Sequence, residues 1–327
     1  MLMKSRFVFF ILSAVICLTT SFNNYPVYQK PPKIRTIIID PGHGGADHGT
    51  HGLISVEKDI TLDISLKLGK AIQQEFPDMK IVYTRTSDVL PGGGDDYRPA
   101  LHVRADIANK AKGDLFICIH CNSNGKPAGG YYAKRVIGYK KRMEYVGRGK
   151  KKRKKLVNAP VYESYWMTNT KTGTASYIWK ADRSGFKGEA INQAEEGGED
   201  IEDSTGVTFD MTSPEAKIRT LLYEKKFFSN SALFASMVQD EFEKSGRVND
   251  GVLQRDKGIQ VLQATGMPSV LIETGFLTNK EEEEYLNSDK GQDEVVQNIL
   301  DALKKYKDTL ENNTNNNPGT GNAPGSR

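Results

Sequence analysis

Thr36-Ile-Ile-Ile-Asp40, closed by Pro41-Gly42, is an unbroken apolar run stopped by a turn pair. A strand with one wet face would alternate polar and apolar residues, so this run reads as a strand buried on both faces, the parallel kind. The same grammar repeats outward from it. Ile60, Ile64, Leu68 and Ile72 recur every four residues and predict an amphipathic helix opening near Glu57. Lys80 to Arg85 reads as a second strand. A Gly/Pro/Asp loop spans Leu90 to Asp96, a helix runs through Leu101, Ala105 and Ala108, and Leu115 to His120 forms a third buried strand.

The middle of the chain breaks this pattern. Residues 125–172 have weak periodicity, many tyrosines and the basic run Lys150 to Lys155, and read as a long irregular insertion. Tyr177 to Trp179 restores a short strand, and an acidic, Gly-containing stretch follows from Glu189 to Asp203. Phe227, Ser231, Phe234, Val238 and Phe242 line one helix face. Gly258 to Gln263 and Ser269 to Glu273 read as two more strands, and Val296, Ile299, Leu303 and Tyr306 as a last helix. The expected fold is α/β: a single domain over 34–308, with a mainly parallel twisted sheet, helices on both faces and one insertion. The Asn/Gly/Pro-rich residues 311–327 read as a disordered tail.

At the start, Lys4 and Arg6 precede an apolar run from Phe7 to Leu18 and a polar exit to Asn24. That is the layout of a secretory signal peptide over residues 1–24, and the run is short for a bilayer span. The expected location is therefore periplasmic or secreted, with no stable membrane span after cleavage. Lipidation at Cys17 is disfavoured by Ile16, which stands where a small residue is needed. Cys118 and Cys121 lie three apart at a strand end, where bridging geometry is poor, so no disulfide framework is expected. The chain has 327 residues, 38% hydrophobic, a formal charge of +4 and a mean hydropathy of −0.52. So small a charge, without aromatic and basic residues interleaved at a defined groove, gives no case for nucleic acid. The Lys150 to Lys155 run reads as a solvated charge run in preference to a polyanion site.

Functional groups of open α/β sheets gather at the carboxyl ends of the strands. Here that rule selects His43, after the first strand, His120, ending the third, and Glu273, ending the last. Glu57 opens the first helix and faces the same end. Two imidazoles and a carboxylate are a recurrent catalytic zinc set, and a second carboxylate nearby serves proton transfer. Each residue also has a plainer reading: a solvated loop histidine, a satisfied core histidine, and a first-turn acid favoured by the helix dipole. Glu273 is the hardest to explain away, since carboxylates seldom leave a buried strand without a partner. His48 and His51 lie between two of these residues and read as exposed loop histidines. Cys121, beside His120, points to the other sheet face and reads as packing.

Asp40-Pro-Gly-His-Gly-Gly45, Glu57-Lys-Asp59, Ile119-His-Cys-Asn122 and Met267-Pro-Ser-Val-Leu-Ile-Glu-Thr-Gly-Phe-Leu-Thr-Asn279 resemble, in that order, the zinc-dependent N-acetylmuramoyl-L-alanine amidases of the amidase-3 type. Thr84-Arg85 and Arg104 to Asn109 fit as well. The resemblance implies zinc held by His43, Glu57 and His120, with Glu273 as the catalytic glutamate. It implies hydrolysis of the amide joining muramic acid to L-alanine in peptidoglycan. By resemblance, the segment over 183–210 sits where some relatives carry a regulatory helix that covers the site; within it Glu189 reads as the plug, packed down by Ala190 and Ile191, and an activator protein is expected to withdraw it. Two other readings stay open: a zinc peptidase acting within the stem peptide, and a non-catalytic wall-binding relative.

Overall fold

The computed structural model describes residues 34–180, 214–255 and 259–312. The expected export signal over 1–24 and the regulatory stretch over 183–210, Glu189 included, lie outside these residues.

Strand β1 (Thr36–Pro41) pairs in parallel with β2 (Lys80–Tyr83) on one side and β3 (Leu115–Asn122) on the other. Strand β8 (Ser269–Phe276) joins β3 in parallel. Next comes β6 (Thr174–Trp179), antiparallel to β8, and then β7 (Asn249–Arg255), parallel to β6. The sheet therefore runs β2-β1-β3-β8-β6-β7 and is mainly parallel, as expected. Ile37, Ile38 and Ile39 are all fully buried although successive side chains point to opposite faces, so both faces of the sheet are covered.

Helix α1 (Glu57–Glu75) buries Ile60, Ile64, Leu68 and Ile72 along one face. Full burial of four such side chains contributes on the order of 6–12 kcal/mol, well above any propensity term, so packing holds this helix. Gly69 lets it sit close to the sheet, because a Cβ there would lie 1.7 Å from the Tyr83 hydroxyl. No side chain caps its start. Its first amides reach back instead, Glu57 N–H to the carbonyl of Thr50 (2.9 Å) and Lys58 N–H to that of His48 (3.3 Å). Those bonds fasten the loop after β1 onto the helix and leave the Glu57 carboxylate available.

Helix α2 (Tyr97–Lys110) and helix α3 (Pro214–Lys244) follow the expected faces. The expected strand at Gly258 to Gln263 is overturned: Gln260–Ala264 forms a short helix, α4. Its Val261 and Leu262 are buried beside Phe116 and Trp179, a burial that a strand or a helix satisfies equally. The run is too short for periodicity to separate the two. Helix α5 (Lys280–Asn287) precedes α6 (Asp289–Asn312), which takes in residues 311 and 312 of the expected tail.

The insertion is not irregular. Strands β4 (Gly130–Val146) and β5 (Arg153–Thr168) pair along their whole length as an antiparallel ribbon. At about 3.4 Å per residue it is roughly 50 Å long.

Candidate metal centre

Two buried arginines build the loop that leaves β1. Arg85 donates to the carbonyls of Pro41 (3.0 Å), Gly42 (2.7 Å) and Lys58 (2.7 Å). Arg104 donates to the carbonyls of Pro41 (2.7 Å) and His43 (2.5 Å), and pairs with Asp40 at 2.5 Å. Burial pushes the Asp40 carboxyl up, but Arg104, Thr84 and Cys118 outweigh it and hold the group ionised. The bracing matters because His43 has φ 60, a left-handed conformation that costs a non-glycine residue of order 1–3 kcal/mol. A reciprocal pair of backbone bonds between Gly44 and Asp47 (2.9 and 3.0 Å) closes the turn. Gly42 is required by contact, since a Cβ there would lie 2.5 Å from the His120 ring. Gly49 is required twice over, by φ +68 and by the His43 and Glu57 side chains it would strike.

The result brings together three of the residues singled out in the sequence. The Nδ1 of His43 donates to Asp47 at 2.9 Å, which turns Nε2 toward Glu57 Oε1, 3.2 Å away. His120 Nδ1 stands 2.9 Å from the same oxygen, and the two rings meet edge-on at 4.8 Å. Glu57 is 2% exposed. Its Oε1 also accepts from the Cys121 amide (2.9 Å) and its Oε2 from the Thr50 amide (2.8 Å). Two imidazole nitrogens aimed at one carboxylate oxygen need positive charge among them. A protonated His43 can supply it. Burial disfavours a charged His43, yet Asp47 and Glu57 raise it to about 9. Burial likewise opposes ionised Glu57, and His120 and His43 carry it well below the usual carboxylate range. A divalent ion serves equally. His43, Glu57 and His120 each offer one donor atom within 4.8 Å of the others. The separations of 2.9 and 3.2 Å approach the tetrahedral edge of roughly 3.3–3.4 Å set by zinc bonds of about 2.0–2.1 Å.

Glu273 is the Cα partner of His120 in the β3–β8 ladder, so both side chains leave the same face of the sheet. Burial dominates its environment, and its carboxyl is pushed up to about 7. Its Oε2 is buried without a hydrogen-bond partner among the described residues. A cavity of about 330 Å³ opens beside the cluster, with His43, Asp47 and His120 on its polar side and Leu90, Val261 and Leu271 among its apolar walls.

His48 and His51 are exposed and face each other at 5.5 Å, apart from the cluster. Cys118 and Cys121 are free, buried thiols. Sequence reading missed Asp47 and Glu283. Asp47 lies four residues from a loop histidine, a spacing that carries no signal outside a helix. Glu283 acts across 230 residues: its carboxylate accepts from the amides of Leu53, Ile54 and Ser55 and from the Ser55 hydroxyl at 2.7–2.9 Å, anchoring the loop that leads into Glu57.

Fold and site together define an α/β protein with a His-Glu-His cradle, fit for a metal, at the carboxyl rim of a mainly parallel sheet. The chain belongs to the N-acetylmuramoyl-L-alanine amidase family Amidase_3, whose model matches residues 37–305. It is 27% identical over 274 residues to amidase AmiC of Escherichia coli O6:H1, covering 83% of this chain and 52% of that one. It is 22% identical over 315 residues to the germination-specific amidase of Bacillus subtilis, covering 93% and 95%. Among solved structures, the amidase of Clostridium difficile 630 superposes with a TM-score of 0.51 at 22% identity, covering 85% of this chain and 99% of that one. The chain spans about half the length of AmiC.

Proposed function

We propose that this protein is an exported zinc hydrolase that cuts the amide between N-acetylmuramic acid and L-alanine in peptidoglycan. The observation that supports it most is the conjunction of the His43, Glu57 and His120 donors with a buried, half-unpartnered carboxylate on the neighbouring strand. Family membership supports the substrate.

His43, Glu57 and His120 would hold the ion. When bound, it supplies Lewis-acid polarisation of the scissile carbonyl and acidifies the attacking water. Asp47 fixes the His43 tautomer, and the Thr50 and Cys121 amides fix the Glu57 carboxylate. Glu273, with a carboxyl poised near neutrality, takes the proton from water and returns it to the leaving amine. The apolar side of the adjoining cavity excludes water from the reacting groups. Release of dye from labelled cell wall tests this: activity should vanish with a chelator and return with zinc, and chelator-resistant release would overturn it.

Export rests on the basic and apolar residues of positions 1–24, and no helix among the described residues is long and apolar enough to cross a membrane. An activator protein acting on the 183–210 segment, with Glu189 as its plug, belongs to the same proposal. One solved structure similar to this chain (TM-score 0.51, 19% identity) is of the CwlD amidase in complex with the GerS lipoprotein, which supports a protein partner for the fold.

A further inference from the structure

The β4–β5 ribbon contributes nothing to the cradle, yet it carries the largest exposed aromatic surface among the described residues. Tyr132, Tyr139, Tyr145, Tyr162 and Trp166 are 52–72% exposed. Their positions on β4 are both even and odd, which in a plain strand would divide them between two faces. They are not divided. The register pairs Val136 with Tyr162 and then Gly138 with Val161, so Ile137 is an extra residue, a β-bulge. The bulge shifts the alternation by one and carries Tyr139 and Tyr145 to the face already occupied by Tyr132, Tyr162 and Trp166.

Lys134, Lys141 and Lys154 lie on this same face, between the rings. The opposite face is basic too, since Lys140, Arg153 and Lys155 lie outside its Arg135–Glu163 and Arg142–Glu144 ion pairs, so the concentration of exposed rings is what distinguishes the first face. Aromatic and basic residues are thus interleaved on a surface, a pattern that could not be seen in the sequence before the bulge was known. The ribbon's root is fixed at the site. Gly129 donates to the Thr278 carbonyl (2.9 Å), and Leu277 to that of Asn122 at the end of β3 (3.0 Å), two residues past His120.

We propose that this face is a binding track for glycan strands of the wall, leading to the cleavage rim; the inference rests on the peptidoglycan reading above. The C–H faces of pyranose rings pack on exposed aromatic rings, whose faces carry partial negative charge. The lysines meet the carboxylates of acidic stem peptides. A flat lipid surface fits less well. A two-stranded ribbon twists strongly, so only part of a 16-residue face can meet a plane, whereas a flexible polymer can follow the turn. An aromatic face this exposed marks an interaction surface.

The test uses the full-length protein, two ribbon variants and two substrates. One variant is Tyr139→Ser/Tyr145→Ser/Tyr162→Ser. The other, Lys134→Glu/Lys141→Glu/Lys154→Glu, leaves every ring in place and guards against misfolding of the first. Wild type should sediment with purified insoluble wall. Both variants should raise KM for that wall about tenfold or more, the loss of ~1.4 kcal/mol of binding, while cleaving a soluble disaccharide-tripeptide as wild type does. Equal losses on the two substrates, or unchanged sedimentation of both variants, would overturn the track. So would wild-type retention by phosphatidylglycerol vesicles or by a single-stranded oligonucleotide in place of wall. If wild type cleaves neither substrate, the hydrolase reading fails, while sedimentation still decides the track.

Discussion

In the proposed mechanism Asp47 and Glu273 have separate roles around His43 and His120, and each can be tested alone. Asp47 accepts from His43 Nδ1 and so points Nε2 into the cradle. Asp47→Asn keeps the shape but weakens that orientation, and zinc affinity by competition with a chelating dye should fall about 10–100-fold. An unchanged affinity would remove Asp47 from the site. His43→Ala and His120→Ala each delete a donor atom; metal analysis should show both zinc and activity lost, and full zinc retention in either would contradict the ligand set. Glu273→Gln should keep zinc while turnover falls ~10²–10⁴-fold, the usual loss when a general acid/base is removed. The same residue makes a pH prediction for the metal-free protein. Its folded carboxyl titrates at about 7 against an ordinary 4.5, so the folded state binds the extra proton between those values. Wild-type stability must then fall as pH rises from 4.5 to 7, relative to Glu273→Gln. Denaturant melts at the two ends should show that gap widen; a constant gap would mean the carboxyl titrates normally. The clustering of His43, Glu57 and His120, with Glu273 on the neighbouring strand, was legible in the sequence because each stands at the edge of an unbroken patterned run. Asp47 was not, because its role comes from a turn closed by Gly44 and from a φ of 60 at His43.

Elements were legible where hydrophobic period and length agreed. The run Ile37 to Ile39 and the four-residue spacing of α1 each admit one reading, and the structure has it. The ribbon was illegible for a definite reason: the bulge at Ile137 changes the phase of alternation halfway along β4, so no single period fits the segment. β7 was missed because this outermost strand of the sheet, beside β6, alternates poorly and leaves Leu253 39% exposed. The α5 contact with the loop before α1 belongs to the same scale. Glu283 gathers three amides and a hydroxyl, and Gly52 has no room for a Cβ beside it, at 2.1 Å from a carboxylate oxygen. Glu283→Ala strands those amides, at about 1–3 kcal/mol for each one left unsatisfied. The loop should loosen and zinc affinity fall with no change at any ligand. Glu283→Gln, which retains an acceptor oxygen, should recover part of it. Equal zinc affinity in Glu283→Ala and wild type would show that the loop holds its place without α5.

At the scale of the whole molecule, a mainly parallel sheet presents its strand ends at one rim, and the cradle, the adjoining cavity and the root of the ribbon all lie there. The proposed function includes restraint of the exported hydrolase by its 183–210 segment. Deleting residues 184–203, or Glu189→Ala, should raise basal dye release from labelled wall at unchanged zinc content; equal or lower release by a folded deletion would reject the plug. The central claim is the bond that is cut. Purified wall digested with the zinc-loaded protein and resolved by mass spectrometry should yield peptides beginning with a free L-alanine amino terminus, together with glycan stripped of peptide. Fragments cut inside the stem peptide, with L-alanine still joined to muramic acid, would contradict it.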